Sequence, residues 1–217
     1  MQFFKFKKDA AAHIGGLSKP SKMPCDGWSI PAWECKVGSI LRKIKGSVCA
    51  HCYALKGMYV FENVKNAMIQ RFAALTLALS NTAEREKFIA AFVKLLTGKP
   101  YFRWHDSGDI QSVEHLVLIA DIARATPGTK YWLPTREAAI VRKFAQSHTV
   151  PDNLTVRVSA PMVDGKPLAV AGFPTSTVHK KGKAIGEECG AYTRDGFCGP
   201  CRLCWDKTVE NVSYPQH

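Results

Sequence analysis

Residues Tyr101–Pro161 read YFRWHDSGDIQSVEHLVLIADIARATPGTKYWLPTREAAIVRKFAQSHTVPDNLTVRVSAP. Three runs in it, YFRWH, KYWLP and NLTVRVSAP, are rich in the aromatic and β-branched residues that suit a pleated, half-buried surface. Helical spacing fills the gaps between them. Ser112 is placed to cap a helix carrying Leu116, Ile119, Ala120 and Ala123 on one face, and Pro127-Gly128 ends it. TREAAIVRKFAQS reads as a second helix. The pattern is β-α-β-α-β, and strands that alternate with helices pair in parallel.

Working outward, Tyr53–Ser80 looks helical with a break near Gly57. Asn81, with Glu84 three residues on, marks another helix start. Phe88, Phe92, Leu95 and Leu96 follow at helical spacing, and Gly98-Lys99-Pro100 stops the run. TSTVH, further along, reads as one more strand. The expected fold is α/β, a partial or small (β/α) barrel or an open sheet. In either case the chemistry belongs at the carboxyl ends of the strands. One domain over residues 1–217 is expected, with a cysteine-bearing segment at 1–52, a β/α core at 53–180 and a second cysteine-bearing segment at 181–217.

The strand ends carry polar residues. The first gives Trp104, His105, Asp106, Ser107, Gly108 and Asp109, the second Pro134, Thr135, Arg136 and Glu137, and the third Ser159, Ala160 and Pro161. His105, Asp106 and Asp109 have the chemistry of acid–base groups or cation ligands. Arg136 suits a carboxylate or phosphate. Asp106 and Asp109 equally suit plain turn and cap roles.

Cys25, Cys35, Cys49 and Cys52 come early, Cys189, Cys198, Cys201 and Cys204 come late, and no cysteine lies between. The late set, spaced C-x8-C-x2-C-x2-C, contains part of the bacterial ferredoxin run. Zinc is the alternative for one set, although its sites more often pair two separated knuckles. VCAHCYALKG could also be a redox dithiol, but the basic, glycine-broken SILRKIKGS before it is not the strand a thioredoxin-like motif requires. Metal accounts for all eight cysteines. The simplest arithmetic is two four-cysteine sites, Cys49 and Cys52 being completed by Cys25 and Cys35, while a set mixed from both ends stays open.

Lys plus Arg is 30 against 18 for Asp plus Glu, a net charge of +12 that favours nucleic acid or a nucleotide as partner. The alternating FFKFKK near the start suits an arm on nucleic acid or an ordinary edge strand. MQFFKFKKDAAAHIGG lacks the apolar run of a signal peptide, and no stretch approaches the ~20 apolar residues of a membrane helix. A cytoplasmic chain is expected, where cysteines serve metals better than disulfides.

Two resemblances follow from these motifs. Cys49-Ala-His-Cys52-Tyr53-Ala54, then a helix, then a strand ending in Ser107-Gly108-Asp109, resembles the front half of radical S-adenosylmethionine enzymes. In that family a C-x3-C-x2-C loop holds a [4Fe-4S] cluster, and an acidic glycine turn holds the cofactor's amino group. The resemblance implies Cys49 and Cys52 as cluster ligands, with Tyr53, Ser107 and Gly108 toward S-adenosylmethionine. Position 45, where the first cysteine would stand, is Lys45. The ordered set KMPCDGWSIPAWEC, CAHCYALKGMY, FRWHDSGDIQS, YWLPTR and CGPCRLCW resembles the phage gene product 88 family. That implies a phage-encoded protein in a bacterial host cytoplasm and no particular reaction.

Three functions are therefore carried forward. One is an iron–sulfur protein, with one or two clusters, acting as an enzyme on nucleic acid or a nucleotide. Another is a metal-stapled nucleic-acid-binding protein. The third is an electron carrier or redox sensor.

Overall fold

A computed structural model describes residues 3–180 and 183–216. Seven strands form one sheet: β1 (Gly27–Trp28), β2 (Tyr101–Trp104), β3 (Lys130–Thr135), β4 (Leu154–Val163), β5 (Thr175–His179), β6 (Glu187–Glu188) and β7 (Asn211–Pro215). Their spatial order is β1-β2-β3-β4-β5-β7-β6, and every adjacent pair is parallel. From β1 to β5 neighbours follow chain order, as in a (β/α) barrel wall, but β7 then lies between β5 and β6 and the sheet is open, with β1 and β6 at opposite edges. The small closed barrel expected as one possibility is not formed. The edge strands have two residues each, and large side chains fill the concavity a barrel would enclose.

Strand side chains alternate between the two faces. Phe102 and Trp104, Tyr131 and Leu133, and Leu154, Val156 and Val158 face the helices and join the main core. The helices are α1 (Lys7–His13), α2 (Lys36–Leu41), α3 (Glu62–Ser80), α4 (Thr82–Leu96), α5 (Val113–Ala125) and α6 (Ala138–Ala145). Their starts follow local chemistry. Asn81 Oδ1 accepts from Glu84 N at 3.1 Å, and Ser112 Oγ accepts from His115 N at 3.2 Å. At the end of α4, Gly98 turns the chain at φ +83°. Trp28 is fully buried edge-on to Phe88, Phe92 and Trp104. Such aromatic pairs contribute about 1 kcal/mol each beyond the area they bury.

Two expectations are corrected here. FFKFKK forms neither strand nor arm: Phe6 is the residue before α1. The Asp9-Ala-Ala-Ala run favours helix, and burying Ala10 and Ile14 against the core fixes it. The terminal segments also carry more of the fold than their cysteines suggested, since β1, β6 and β7 all belong to the sheet. β7, NVSYP, was not anticipated. Its alternation is too short to read alone, and its pairing with β5 decides it.

The other face of a parallel sheet also has to be covered. No helix does this. The chain from Lys183 to Glu210 lies over it, with two 3₁₀ turns, Gly190–Arg194 and Leu203–Trp205. Arg157, fully buried on β4, holds this cover in place. Its guanidinium donates to the carbonyls of Thr175, Val209, Leu203 and Asp206 at 2.9, 2.9, 3.2 and 2.9 Å. Among the described residues no helix is long and apolar enough to cross a membrane.

Arg157→Leu leaves four carbonyls without that donor, and an expected loss of about 3 kcal/mol follows. Urea denaturation measures the loss. Limited proteolysis should show cleavage between residues 183 and 210 preceding cleavage of the sheet; an unchanged digestion pattern would remove Arg157 as the clasp.

Candidate metal centre at the carboxyl edge

The β2 end is built by backbone constraints. His105 adopts φ +57°, and its N–H donates to Trp28 O at 2.9 Å. Gly108 adopts φ +80°, and a Cβ there would stand 2.7 Å from Ile30 O. The Ser107 carbonyl accepts from Ile30 N at 3.2 Å. Asp109, buried, accepts from Ile110 N at 2.8 Å, Thr135 Oγ1 at 2.6 Å and Arg136 N at 2.8 Å. Burial pushes its carboxyl up to about 6 despite those donors. Asp109 thus joins the end of β2 to the end of β3.

Three cysteines reach this edge. Cys35 precedes α2, and Cys49 and Cys52 sit in and just after the 3₁₀ turn Val48–His51. Ser47 caps that turn, its Oγ accepting from Ala50 N at 3.0 Å. The turn is fixed at the end of β4, where Val163 N donates to Gly46 O at 3.0 Å and Ser47 bridges to Met162. α2 is anchored by Glu137, whose Oε1 accepts from Val37 N at 2.8 Å. Gly38 lets the two elements meet: a Cβ at this position would lie 3.6 Å from Cys35 Sγ and 3.7 Å from Cys49 Sγ. Cys49 and Cys52 flank Cys35, with Asp109 and Glu137 nearby. Arg136 and Arg42 lie beside Cys49. Burial raises the Cys35 and Cys49 thiols above the usual range.

Of the predicted edge residues, Asp109 and Arg136 gather with the cysteines and the others are placed apart. The His105 ring packs among Trp28, Trp104 and His115 in the helix-side core, where burial lowers it to about 3 and keeps it neutral. Asp106 turns to the opposite face, accepting from the hydroxyls of Ser29 and Tyr59 and lying near Arg103. Tyr53 donates to the Asp106 carbonyl, and its ring meets that of Tyr59 edge to face at 5.8 Å. Gly108 is accounted for by Ile30. Ser107 Oγ and Arg136 Nε are buried and have no hydrogen-bond partner among the described residues.

Cys25 leaves the early set. It packs under the C-terminal cover with Cys189 and Cys204, and it neighbours Cys198. The grouping is three and five, not four and four. The x9 spacing from Cys25 to Cys35 hides the cause, because β1 begins just after Cys25 and the chain crosses the sheet end before Cys35. Glu137 stands with Arg136 at the second strand end, as the sequence indicates, but its anchoring of α2 was not anticipated; Arg103 sits in mid-strand and carried no signal. Among the described residues no three His, Cys, Asp or Glu side chains converge as one metal ion requires.

Comparison with known proteins gives one family, described as Gene product 88, matched over residues 5–172. The late cysteines lie beyond the match. No curated protein and no solved structure matches. The likeness to radical S-adenosylmethionine enzymes finds no counterpart in these comparisons.

Gly108→Ala must place a Cβ against Ile30 at a left-handed φ, an expected cost of about 2 kcal/mol or more. Asp109→Ala leaves three donors unmatched and should cost a similar amount. Thermal melts of both variants check this, and wild-type stability in either would show that the turn is not a structural weld.

Proposed function

The chain belongs to the gene product 88 family, and on that premise we propose an iron–sulfur protein whose working edge acts on nucleic acid or a nucleotide. Cys35, Cys49 and Cys52 are the proposed ligands of a [4Fe-4S] cluster. The observation that carries the reading is their meeting, from two chain segments, at the sheet edge that also bears Arg136. Cys35 takes the place left by Lys45.

The donor set suits the cluster better than a single ion. Zinc–sulfur bonds of about 2.3 Å would require thiolates roughly 3.8 Å apart, and no three groups converge in that way among the described residues. An iron–sulfur cube is several ångströms across and spreads its ligands. Three thiolates would leave one iron open to a small molecule, which is the chemistry the cluster supplies when bound. S-adenosylmethionine is the proposed occupant. Arg136, beside Cys49 and with Nε buried and unpartnered, is the residue with capacity to hold it.

The polyanion part rests on the rim. Lys36–Val60 contains Lys36, Arg42, Lys43, Lys45 and Lys56 and no acidic residue. Ile40, Ile44, Tyr53, Met58 and Val60 are exposed among them. Cations tracking phosphates beside exposed apolar and aromatic groups suit single-stranded nucleic acid. The proposed setting is the cytoplasm of a bacterial host. Binding without turnover is the second reading, favoured by this same rim.

Anaerobic purification with iron, sulfide and zinc counted per chain tests the centre. Iron with equimolar sulfide is expected, and Cys35→Ser, Cys49→Ser and Cys52→Ser should each lower it by about four irons. Zinc without sulfide would end the iron–sulfur reading. For the rim, affinity for single-stranded DNA should fall at least tenfold between about 50 and 200 mM salt. Lys43→Glu with Lys45→Glu should weaken it further, and salt-independent binding would count against the rim.

A further inference from the structure

We propose that the C-terminal cover holds a second iron–sulfur centre, ligated by Cys25, Cys189, Cys198 and Cys201, with Cys204 left as a packing residue. This centre lies on the sheet face opposite the helices, and it does not depend on the reading of the carboxyl edge.

Three chain segments bring the four thiols together. Cys25 lies two residues before β1, Cys189 immediately follows β6, and Cys198 and Cys201 share one loop. Cys198 is the hub: Cys25, Cys189 and Cys201 all neighbour it, and Cys201 also neighbours Cys189. Backbone hydrogen bonds fix the arrangement. Cys189 N donates to Ser213 O on β7 at 2.8 Å, and Cys198 N donates to Lys22 O at 3.1 Å, tying the late loop to the segment that carries Cys25. Cys201 N donates to Cys198 O at 3.2 Å, closing a turn in which Gly199 takes φ +56°. The Met23 sulfur lies 3.7 Å from Cys198 Sγ.

Arginines surround the thiols. Arg202 donates to the carbonyls of Gly199 and Cys201 at 2.6 and 2.7 Å. Arg194 donates to Cys198 O at 3.2 Å. Arg103, stacked 4.5 Å over Trp132, lies beside both Cys25 and Cys198. Four thiolates on a cluster are anionic, and these cations offset that charge while orienting the ligand loop. Cys204 differs. It is buried against Trp132, Trp205 and Val212, and its sulfur pairs with Tyr214 OH at 3.3 Å.

Apart from the ties to Arg157 and Phe102, the segment has little structure of its own. Between Lys183 and Glu210 it forms only 3₁₀ turns and a two-residue strand, so a thiolate-bound cluster would contribute directly to its folding. Four protein ligands leave no iron open, which assigns this centre to structure or electron transfer and not to substrate binding.

The experiment removes the first centre and reads the second. In a Cys35→Ser, Cys49→Ser, Cys52→Ser background, purified anaerobically, about four irons with matching sulfide should remain. Adding Cys25→Ser should abolish that iron, and adding Cys204→Ser should leave it. Undiminished iron in the triple variant would sink the edge reading and leave this one standing; a folded triple variant with no iron overturns this second centre. Full iron with Cys25→Ser overturns the ligand set, and zinc without sulfide overturns the cluster. Should the variants fail to fold, native alkylation of wild-type protein answers instead. Cys25 and Cys198 should label at least tenfold faster after iron is chelated, and equal rates overturn the proposal.

Discussion

All seven strands run the same way, and most of the molecule follows from that constraint. Parallel pairing puts every carboxyl end on one edge and requires both faces of the sheet to be covered. Helices cover one face in the usual manner. The other is covered by an irregular stretch with almost no regular hydrogen bonding of its own. Its carbonyls are satisfied from below by Arg157, a charge placed where an apolar side chain would leave them unmatched. Trp205 adds a second tie, donating from Nε1 to Phe102 O at 2.9 Å on β2.

At the carboxyl edge the carboxylates and the thiols divide the work. Asp109 and Glu137 are spent on backbone N–H groups, which fixes the strand ends and α2. Cys35, Cys49, Cys52 and Arg136 stand around them with fewer commitments. The buried His105 belongs to the aromatic core and not to this edge. Arg103, over the ring of Trp132, lies near Asp106, Tyr53 and Tyr59 and also near Cys25 and Cys198 of the cover.

Much of the β/α core was readable because its signals are local. Ser112 and Asn81 cap the helices they were expected to cap, and Gly98 and the 127–128 pair stop them. TSTVH spans the residues of β5. The failures share one cause. β1 and β6 are too short for periodicity to reveal, β7 buries the polar Asn211 and Ser213, and a neighbour supplies the hydrogen bonds of each. FFKFKK misled for the opposite reason, since its alternation mimics a strand while burial of Ala10 and Ile14 selects a helix.

The cysteines mark the boundary between the two kinds of information. By itself the sequence determined that eight thiols fall at the two ends of a basic α/β chain, that some stand in tight turns, and that polar residues collect after the strands. Which thiols share a site was decided only by the tertiary structure. Only nine residues separate Cys25 from Cys35, yet β1 sends the chain along the sheet between them and delivers them to different places. Chain spacing limits how far two residues can separate, whereas long-range strand pairing decides where each one goes.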